Sequence, residues 1–286
     1  MAGAKLRNIS AMLIFGTIGL FVKNIQLSSS EIALARGIIG SIVLVAASFI
    51  LRKKLSFKDV KSNLLLLLFS GGAIGLNWIF LFQAYRYTSI SNATLSYYFA
   101  PVFVTMLSPI VLKEKLTLKK VLCITAAMIG MVCIVGTGGG AEGFTGILYG
   151  LAAAAFYASV VLMNKFLKNM KSLEITYIQL FMASIVLFPY VAATTGINIL
   201  NISGSSFPYL LILGTVHTGL GYLLYFSSLQ ELKAQTAAVL SYIDPISAVL
   251  ISSLFLKEKM GIMQIIGGIL ILGSTFISEI TEKEKP

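Results

Sequence analysis

The chain has little of what a water-soluble fold or a metal site requires. Only 12% of its 286 residues are charged, whereas 57% are hydrophobic, and the mean hydropathy is +0.90. A soluble protein could not cover its surface with so few polar residues. The single histidine and two cysteines provide no set of metal ligands. Cys123 and Cys133 are ten residues apart in one predicted helix, on different faces, so we expect neither a metal pair nor a disulfide.

Motifs for nucleotide chemistry, catalysis and nucleic-acid binding are also missing. No Walker motif occurs, so we expect neither an ATPase site nor a cofactor. The net charge of +11 comes without a basic stripe interleaved with aromatic residues, so we expect no nucleic-acid partner. An intramembrane enzyme would need paired carboxylates, several histidines or a Ser–His pair. The spans contain one carboxylate at mid-depth, Asp244, so we expect no enzyme activity.

The sequence is rich in apolar stretches that are long enough to cross a bilayer. A membrane-spanning helix needs about 17–25 such residues. Ten stretches qualify, near residues 6–23, 31–51, 63–85, 91–112, 118–136, 145–165, 173–194, 207–229, 235–256 and 261–279. No A-x-A-like cleavage site follows the first stretch, so we interpret it as a retained helix. The sequence therefore predicts an all-α membrane protein with ten transmembrane helices and the lipid bilayer as its surroundings.

The distribution of basic residues predicts how these helices are oriented. Ten crossings place both termini on the same side of the membrane. If that side is the cytoplasm, 17 of the 22 Lys and Arg residues are cytoplasmic. Only Lys23, Arg86, Lys257 and Lys259 are then external, and Arg36 lies within a span. Cytoplasmic loops are enriched in Lys and Arg, so we expect a multi-pass plasma-membrane protein with both termini in the cytoplasm.

The chain contains one sequence unit twice. Residues 75–115 match residues 219–259 without a gap at a constant offset of 144, so that Pro101 returns as Pro245. Residues 41–44 return as residues 184–187 at an offset of 143. We therefore divide the chain into a first five-helix repeat, 1–140, and a second five-helix repeat, 141–286.

An odd number of spans per repeat has a mechanical consequence. The second repeat must enter the membrane upside down relative to the first. Inverted repeats produce two related conformations of similar energy, which is the basis of alternating access in secondary transporters. A channel is the alternative, but it needs a pore that opens at both ends. The inverted duplication therefore favours a carrier over a channel.

The last two spans of each repeat carry the pattern of a known family. The second copy has Pro245, then Leu-Lys-Glu-Lys at 256–259, then a glycine-rich last helix at 264–273. The first copy keeps Pro101 and Glu114. This pattern resembles the EamA family of the drug/metabolite transporter superfamily, and the resemblance covers nearly the whole chain. It implies a ten-helix inner-membrane transporter, and it is the sole basis for expecting export, but it implies no particular substrate.

Two charged residues within the spans are the leading candidates for substrate binding. Asp244 directly precedes Pro245 near the middle of the ninth span, and a carboxylate at that depth usually has a function. The alternative is a structural Asp bonded to hydroxyls such as that of Ser241. Arg36 would suit a carboxylate or phosphate, unless it is a snorkelling or paired structural arginine. The sequence leaves open whether Asp244 carries a coupling proton or binds a substrate amine.

Aromatic and amide side chains extend this candidate site. They are Asn77, Trp78, Phe82, Tyr98, Gln179, Tyr222 and Tyr242. A cavity lined by Trp and Tyr suits an organic solute better than an inorganic ion, although helix packing would also explain aromatic residues. We expect a small organic substrate, most simply an amino acid or a related compound. A drug-like cation and a nucleobase are the alternatives.

Two prolines at equivalent positions are candidate hinges. Pro101 and Pro245 each remove a helix hydrogen bond from their spans, which permits bending. We predict that the fourth and ninth spans line the cavity and bend between conformations.

The inverted arrangement predicts opposite accessibility for equivalent residues. In a chain with Cys123 and Cys133 replaced by Ser, we introduce Lys115→Cys or Lys259→Cys. A membrane-impermeant thiol reagent should label position 115 in inside-out vesicles and position 259 in right-side-out vesicles. The two positions lie on opposite sides because an odd number of spans separates them. Labelling of both positions from one side would contradict the inversion.

Overall fold

The computed structural model describes residues 2–50, 57–135, 140–196, 202–232 and 234–281. In these residues every regular element is a helix. Eight helical segments are long and apolar enough to cross a membrane, and two shorter apolar helices accompany them. The expected all-α membrane protein is therefore confirmed. Residues 136–139, next to the boundary between the two proposed repeats, lie outside the described residues.

We number the helical segments as spans 1 to 10 in chain order. Span 1 is Ala2–Gly16 with Ile18–Lys23, span 2 Ser29–Ile50, span 3 Leu64–Tyr87, span 4 Ile90–Tyr97 with Ala100–Val111, span 5 Leu118–Val135, span 6 Gly140–Asn164, span 7 Ser172–Thr194, span 8 Phe207–Leu229, span 9 Ala234–Ser241 with Ile243–Phe255, and span 10 Ile262–Thr281. A short helix, Phe57–Ser62, precedes span 3. The boundaries agree with the predicted ones to within a few residues. The largest difference is at span 6, which begins five residues earlier than predicted.

Spans 4 and 9 are interrupted at equivalent positions. Span 4 breaks at Tyr98 and Phe99, and span 9 breaks at Tyr242. Pro101 and Pro245 lie in the first turn of the helix that follows each break. Proline is tolerated there because the first backbone N–H groups of a helix have no partner within it. The two candidate hinge prolines therefore follow real interruptions of the helix, although bending at these points stays a prediction.

Ion pairs between connecting segments show that the chain alternates between two ends of the bundle. Arg7, near the N-terminus, pairs with Glu231 in the connection between spans 8 and 9. Lys23, at the end of span 1, pairs with Glu258 in the connection between spans 9 and 10. The two pairs thus lie at opposite ends of span 1. This alternation is what repeated crossing of a bilayer requires.

Spans 5 and 10 pack against each other at the edge of the bundle, where glycines allow a close approach. A Cβ atom on Gly267 would lie 2.5 Å from the carbonyl oxygen of Gly130 and 2.8 Å from Ile134 Cγ1. Membrane helices associate through close packing, because lipid provides no hydrophobic driving force between them. Small residues at the contact allow the two backbones to approach closely. The backbone contact at Gly267 therefore leaves no room for a side chain.

This contact predicts a position-specific effect of alanine. Gly267→Ala should destabilise the protein by about 1–3 kcal/mol, because the added methyl group overpacks a backbone contact. Gly273→Ala in the same helix is the matched control, since its Cβ would meet nothing within 4 Å. Thermal unfolding of the purified protein in detergent measures both. Equal melting temperatures for the two variants would contradict the proposed packing.

Candidate functional site

A cavity of about 820 Å³ lies among the spans, and each of the ten spans contributes to its lining. Eight of the nine predicted substrate-binding residues line it: Arg36, Asn77, Trp78, Tyr98, Gln179, Tyr222, Tyr242 and Asp244. Of the two candidate hinges, Pro101 lines the cavity, whereas Pro245 is buried behind it. The structure thus places in one cavity residues from six spans that the sequence identified only as separate candidates.

Arg36 is held in span 2 by three neighbours. Its Nε donates a hydrogen bond of 2.7 Å to Thr218 Oγ1 in span 8. Its guanidinium carbon lies 4.4 Å from the ring centroid of Trp78 and 5.8 Å from that of Phe82. A guanidinium over an aromatic face is stabilised by the charge distribution of the ring. Phe82 itself is fully buried and does not line the cavity, so its place is beside Arg36 rather than in the predicted contact with substrate.

Asp244 lies in the first turn of the second helix of span 9. A carboxylate is stabilised there by the partial positive charge of the helix N-terminus. Its Oδ2 also accepts a hydrogen bond of 2.6 Å from the Tyr98 hydroxyl, which lies at the break in span 4. The interruptions of spans 4 and 9 therefore place the acid and its hydroxyl partner together.

The two charged residues share one cavity without pairing to each other. Within the described part of the chain, neither Arg36 nor Asp244 belongs to an ion pair. Each side chain has its own neutral hydroxyl partner instead, Thr218 for Arg36 and Tyr98 for Asp244. The arrangement can therefore present a guanidinium and a carboxyl group to a solute at the same time.

The two amide candidates line the cavity but also join helices. Asn77 Nδ2 donates to the carbonyl oxygen of Ala153 at 2.7 Å, which connects spans 3 and 6. Gln179 Nε2 lies 2.7 Å from both Ser70 Oγ and Asn164 Oδ1, which connects span 7 to spans 3 and 6. Their amide N–H groups therefore stabilise the bundle, and their contribution to a ligand would come from the remaining surface.

The aromatic candidates form a lining of edge-to-face contacts. Tyr222 meets Phe15 at a centroid distance of 5.5 Å, and Tyr242 meets Phe276 at 5.4 Å. The lining also contains Tyr85, Tyr97 and Tyr157. Tyr85 gave no signal in the sequence, because the equivalent residue of the other copy is Leu229, and Tyr157 lies outside the matched stretches. The structure thus makes the cavity more aromatic than the repeat pattern indicates.

The cavity extends to the end of the bundle that the sequence assigns to the cytoplasm. Glu114, Lys120 and Lys165 line it there. Glu114 Oε2 is 3.9 Å from Lys120 Nζ. The Glu114–Lys120 pair and Lys165 are therefore next to the path between the cavity and this end.

At the opposite end of the bundle, Glu258 joins three spans. Its Oε1 accepts a hydrogen bond of 2.8 Å from Lys23 Nζ and one of 3.1 Å from the backbone N–H of Ile90, where span 4 begins. Beneath it, the hydroxyls of Ser91 and Ser252 are 2.7 Å apart. Spans 1, 4 and 9 are thus joined at this end, and no residue of this cluster lines the cavity.

Metal binding finds no support in the described part of the chain. No group of three or more His, Cys, Asp or Glu side chains is placed there to hold an ion. His217 instead lies 2.7 Å from Thr17 Oγ1, with its ring 4.7 Å from that of Phe21. The single histidine therefore serves helix packing and hydrogen bonding.

A bundle of membrane-spanning helices encloses a mostly apolar, aromatic-lined cavity with a few charged and polar groups, which is consistent with a multi-pass membrane transporter. The model of the EamA-like transporter family matches this chain twice, over residues 6–136 and 144–279. The chain belongs to this family, which confirms the resemblance seen in the sequence. Its partners are therefore a small-molecule substrate and the lipid bilayer of the plasma membrane.

Relatives agree with this assignment, and a solved structure shares the fold. The uncharacterized transporter YxxF of Bacillus subtilis is 27% identical, with 99% of this chain and 91% of the relative covered. The uncharacterized inner membrane transporter YicL of Salmonella typhimurium is 24% identical, with 96% and 94% covered. One crystal structure matches with a TM-score of 0.63 at 18% identity, covering 97% of this chain and 98% of the other. That likeness shows the fold alone.

Proposed function

We propose that the protein is a secondary transporter that exports amino acids or closely related metabolites by alternating access. The observation that carries the substrate class is that Arg36 and Asp244 line one cavity without forming an ion pair with each other. A guanidinium binds a carboxylate through charge-assisted hydrogen bonds, and a carboxylate binds an ammonium group in the same way. A zwitterion satisfies both groups at once.

The alternative substrates match this cavity less well. A drug-like cation would meet Arg36 as a like charge, and a neutral nucleobase would leave both charges without a counterpart. Burial of an uncompensated charge is costly, so a substrate that carries both signs is favoured. The tyrosines and Trp78 suit the organic part of such a solute, and small-molecule sites typically enclose about 300–1,000 Å³.

Several features support two inverted repeats with the boundary at 140 and 141. The family model matches each half of the chain separately. Span 3 packs on spans 6 and 7, and its proposed equivalent, span 8, packs on spans 1 and 2. Such paired contacts are what a two-fold relationship between the halves produces. With the predicted cytoplasmic termini, the described conformation faces inward, and the family resemblance supports export.

The two ends of the bundle support alternation between closed and open gates. Glu258 joins three spans at one end, whereas Glu114, its equivalent in the first copy, lies at the mouth of the cavity. Lys165 lines the same mouth. We infer that the Lys23–Glu258 contact opens when the substrate is released outside, and that Glu114 then approaches Lys165. Bending near Pro101 and Pro245 would accompany this exchange.

The substrate proposal predicts that both charged ends of the solute are needed. Purified protein in liposomes, loaded with a mixture of amino acids, should exchange a labelled amino acid in a saturable manner. The corresponding amide, which lacks the carboxylate, and the corresponding deaminated acid should compete weakly. Arg36→Gln and Asp244→Asn should each raise KM about tenfold or more, since a charged hydrogen bond contributes about 1.5–3 kcal/mol. Saturable transport of inorganic ions alone would refute the proposal.

The same Asp244→Asn variant distinguishes the two roles of this carboxylate, and Glu231→Gln, in an exposed ion pair, is its control. If Asp244 binds the substrate amine, the variant loses affinity at every pH. If Asp244 carries a coupling proton, accumulation driven by a pH gradient is lost while exchange is partly retained. Wild-type accumulation in Asp244→Asn would exclude both roles.

The gate proposal predicts a change in accessibility without any knowledge of the substrate. Ala100 lines the cavity and is the repeat equivalent of Asp244, so Ala100→Cys in the cysteine-free background reports on the centre of the protein. We expect labelling from the cytoplasmic side, and increased labelling from outside after Glu258→Gln, because the closed end loses its ion pair. Glu231→Gln should have no such effect. Unchanged external labelling in Glu258→Gln would contradict the gate.

A further inference from the structure

Span 8 contains a π-helical segment, Leu213–Leu220, between two α-helical parts. Within it, Thr218 Oγ1 donates a hydrogen bond of 3.0 Å to the carbonyl oxygen of Leu213, five residues earlier. π-helical turns inside α-helices are rare and frequently lie at functional sites. The duplicated pattern does not single out Thr218, since its repeat equivalent is Ile74.

The π-helical segment presents Thr218 to Arg36. Thr218 is fully buried, and its Oγ1 is 2.7 Å from Arg36 Nε. Span 2 can approach so closely because it has Gly40 one turn beyond Arg36, where a Cβ atom would lie 2.3 Å from Thr218 Cγ2. The contact between spans 2 and 8 is thus shaped around this one hydroxyl.

The hydroxyl of Thr218 and one end of the guanidinium satisfy each other's remaining hydrogen bonds. The hydroxyl has a single proton, which goes to Leu213, so it accepts from Arg36. A guanidinium has five N–H groups, of which Nε carries one. Among the described residues, Nη1 and Nη2 of Arg36 make no hydrogen bond. Trp78 covers one face of the group at 4.4 Å. The Nη1–Nη2 edge is therefore the part that remains for a ligand.

We propose that Thr218 is a positioning residue that fixes the Arg36 guanidinium on the Trp78 ring, so that its Nη1–Nη2 edge receives the carboxylate of the substrate. Two parallel N–H···O bonds to a carboxylate require a fixed orientation of the guanidinium plane. The anionic group of the substrate rests on the proposed function. The orientation of Arg36 by Thr218 does not, and it is open to a test without a substrate.

Trp78 supplies the first measurement, because it is the single tryptophan of the chain. Its fluorescence in the purified protein depends on the position of the Arg36 guanidinium against its ring. We expect Thr218→Val to change the emission in the same direction as Arg36→Gln, and Thr218→Ser to retain the wild-type emission. Thr215→Val is the matched control, since its hydroxyl bonds only the carbonyl oxygen of Leu211 in the same span.

The second measurement uses acetate as a carboxylate probe and acetamide as its neutral analogue at equal ionic strength. Acetate should change Trp78 fluorescence in the wild type and in Thr218→Ser, and should need at least a tenfold higher concentration in Thr218→Val. Acetamide should have no effect. Thr218→Ala replaces the Val variant if circular dichroism shows that the latter is unfolded.

Equal emission and equal acetate binding in the wild type and in a folded variant without the hydroxyl would overturn the proposal. Acetate binding that depends on Thr218 would support it even if no amino acid is transported. Failure of the positioning role and failure of the amino-acid substrate are therefore distinguishable.

Discussion

The structure depends on one constraint, which is that polar groups within a bilayer must find their partners inside the protein. Arg36 and Asp244 obey this constraint without neutralising each other, since each is hydrogen-bonded to a hydroxyl from another span. A direct ion pair would have satisfied both groups and left the cavity with no fixed charge to offer. The hydroxyl partners hold the guanidinium and the carboxyl group in place while leaving both available to a solute.

The same constraint explains where the helices become irregular. Backbone groups that leave the α-helical pattern cannot face lipid, so irregular segments are tolerated only where they are buried or line a cavity. The breaks in spans 4 and 9 line the cavity at Tyr98 and Tyr242, and the π-helical part of span 8 contacts the cavity residue Arg36 through Thr218. Each supplies a polar side chain to the site, namely Tyr98, Asp244 and Thr218. Spans 5 and 10, which are regular, pair at the edge.

The sequence could predict the spans and much of the site, because both depend on local signals. Apolar length identified the helices, and Asp244 and Arg36 were visible as charges in apolar surroundings. Which residue holds each charge was not predictable, since Tyr98 and Thr218 lie 146 and 182 residues away along the chain. Phe82 was assigned to the substrate because it is an aromatic residue within a span, but aromatic residues also pack helices together. A π-helical turn has no sequence pattern of its own, so Thr218 was not found.

The duplication accounts for the scaffold, whereas the charged site is asymmetric. Asp244 is equivalent to Ala100, Arg36 to Gln179 and Thr218 to Ile74, so none of the three follows from the repeat. The contacts nevertheless cross between the proposed repeats in both directions. Arg36 of the first is bonded by Thr218 of the second, and Asp244 of the second is bonded by Tyr98 of the first. Any movement of one repeat against the other therefore changes the surroundings of both charges together. A solute held between Arg36 and Asp244 would experience that movement at its two ends, which links occupation of the site to the relative position of the repeats.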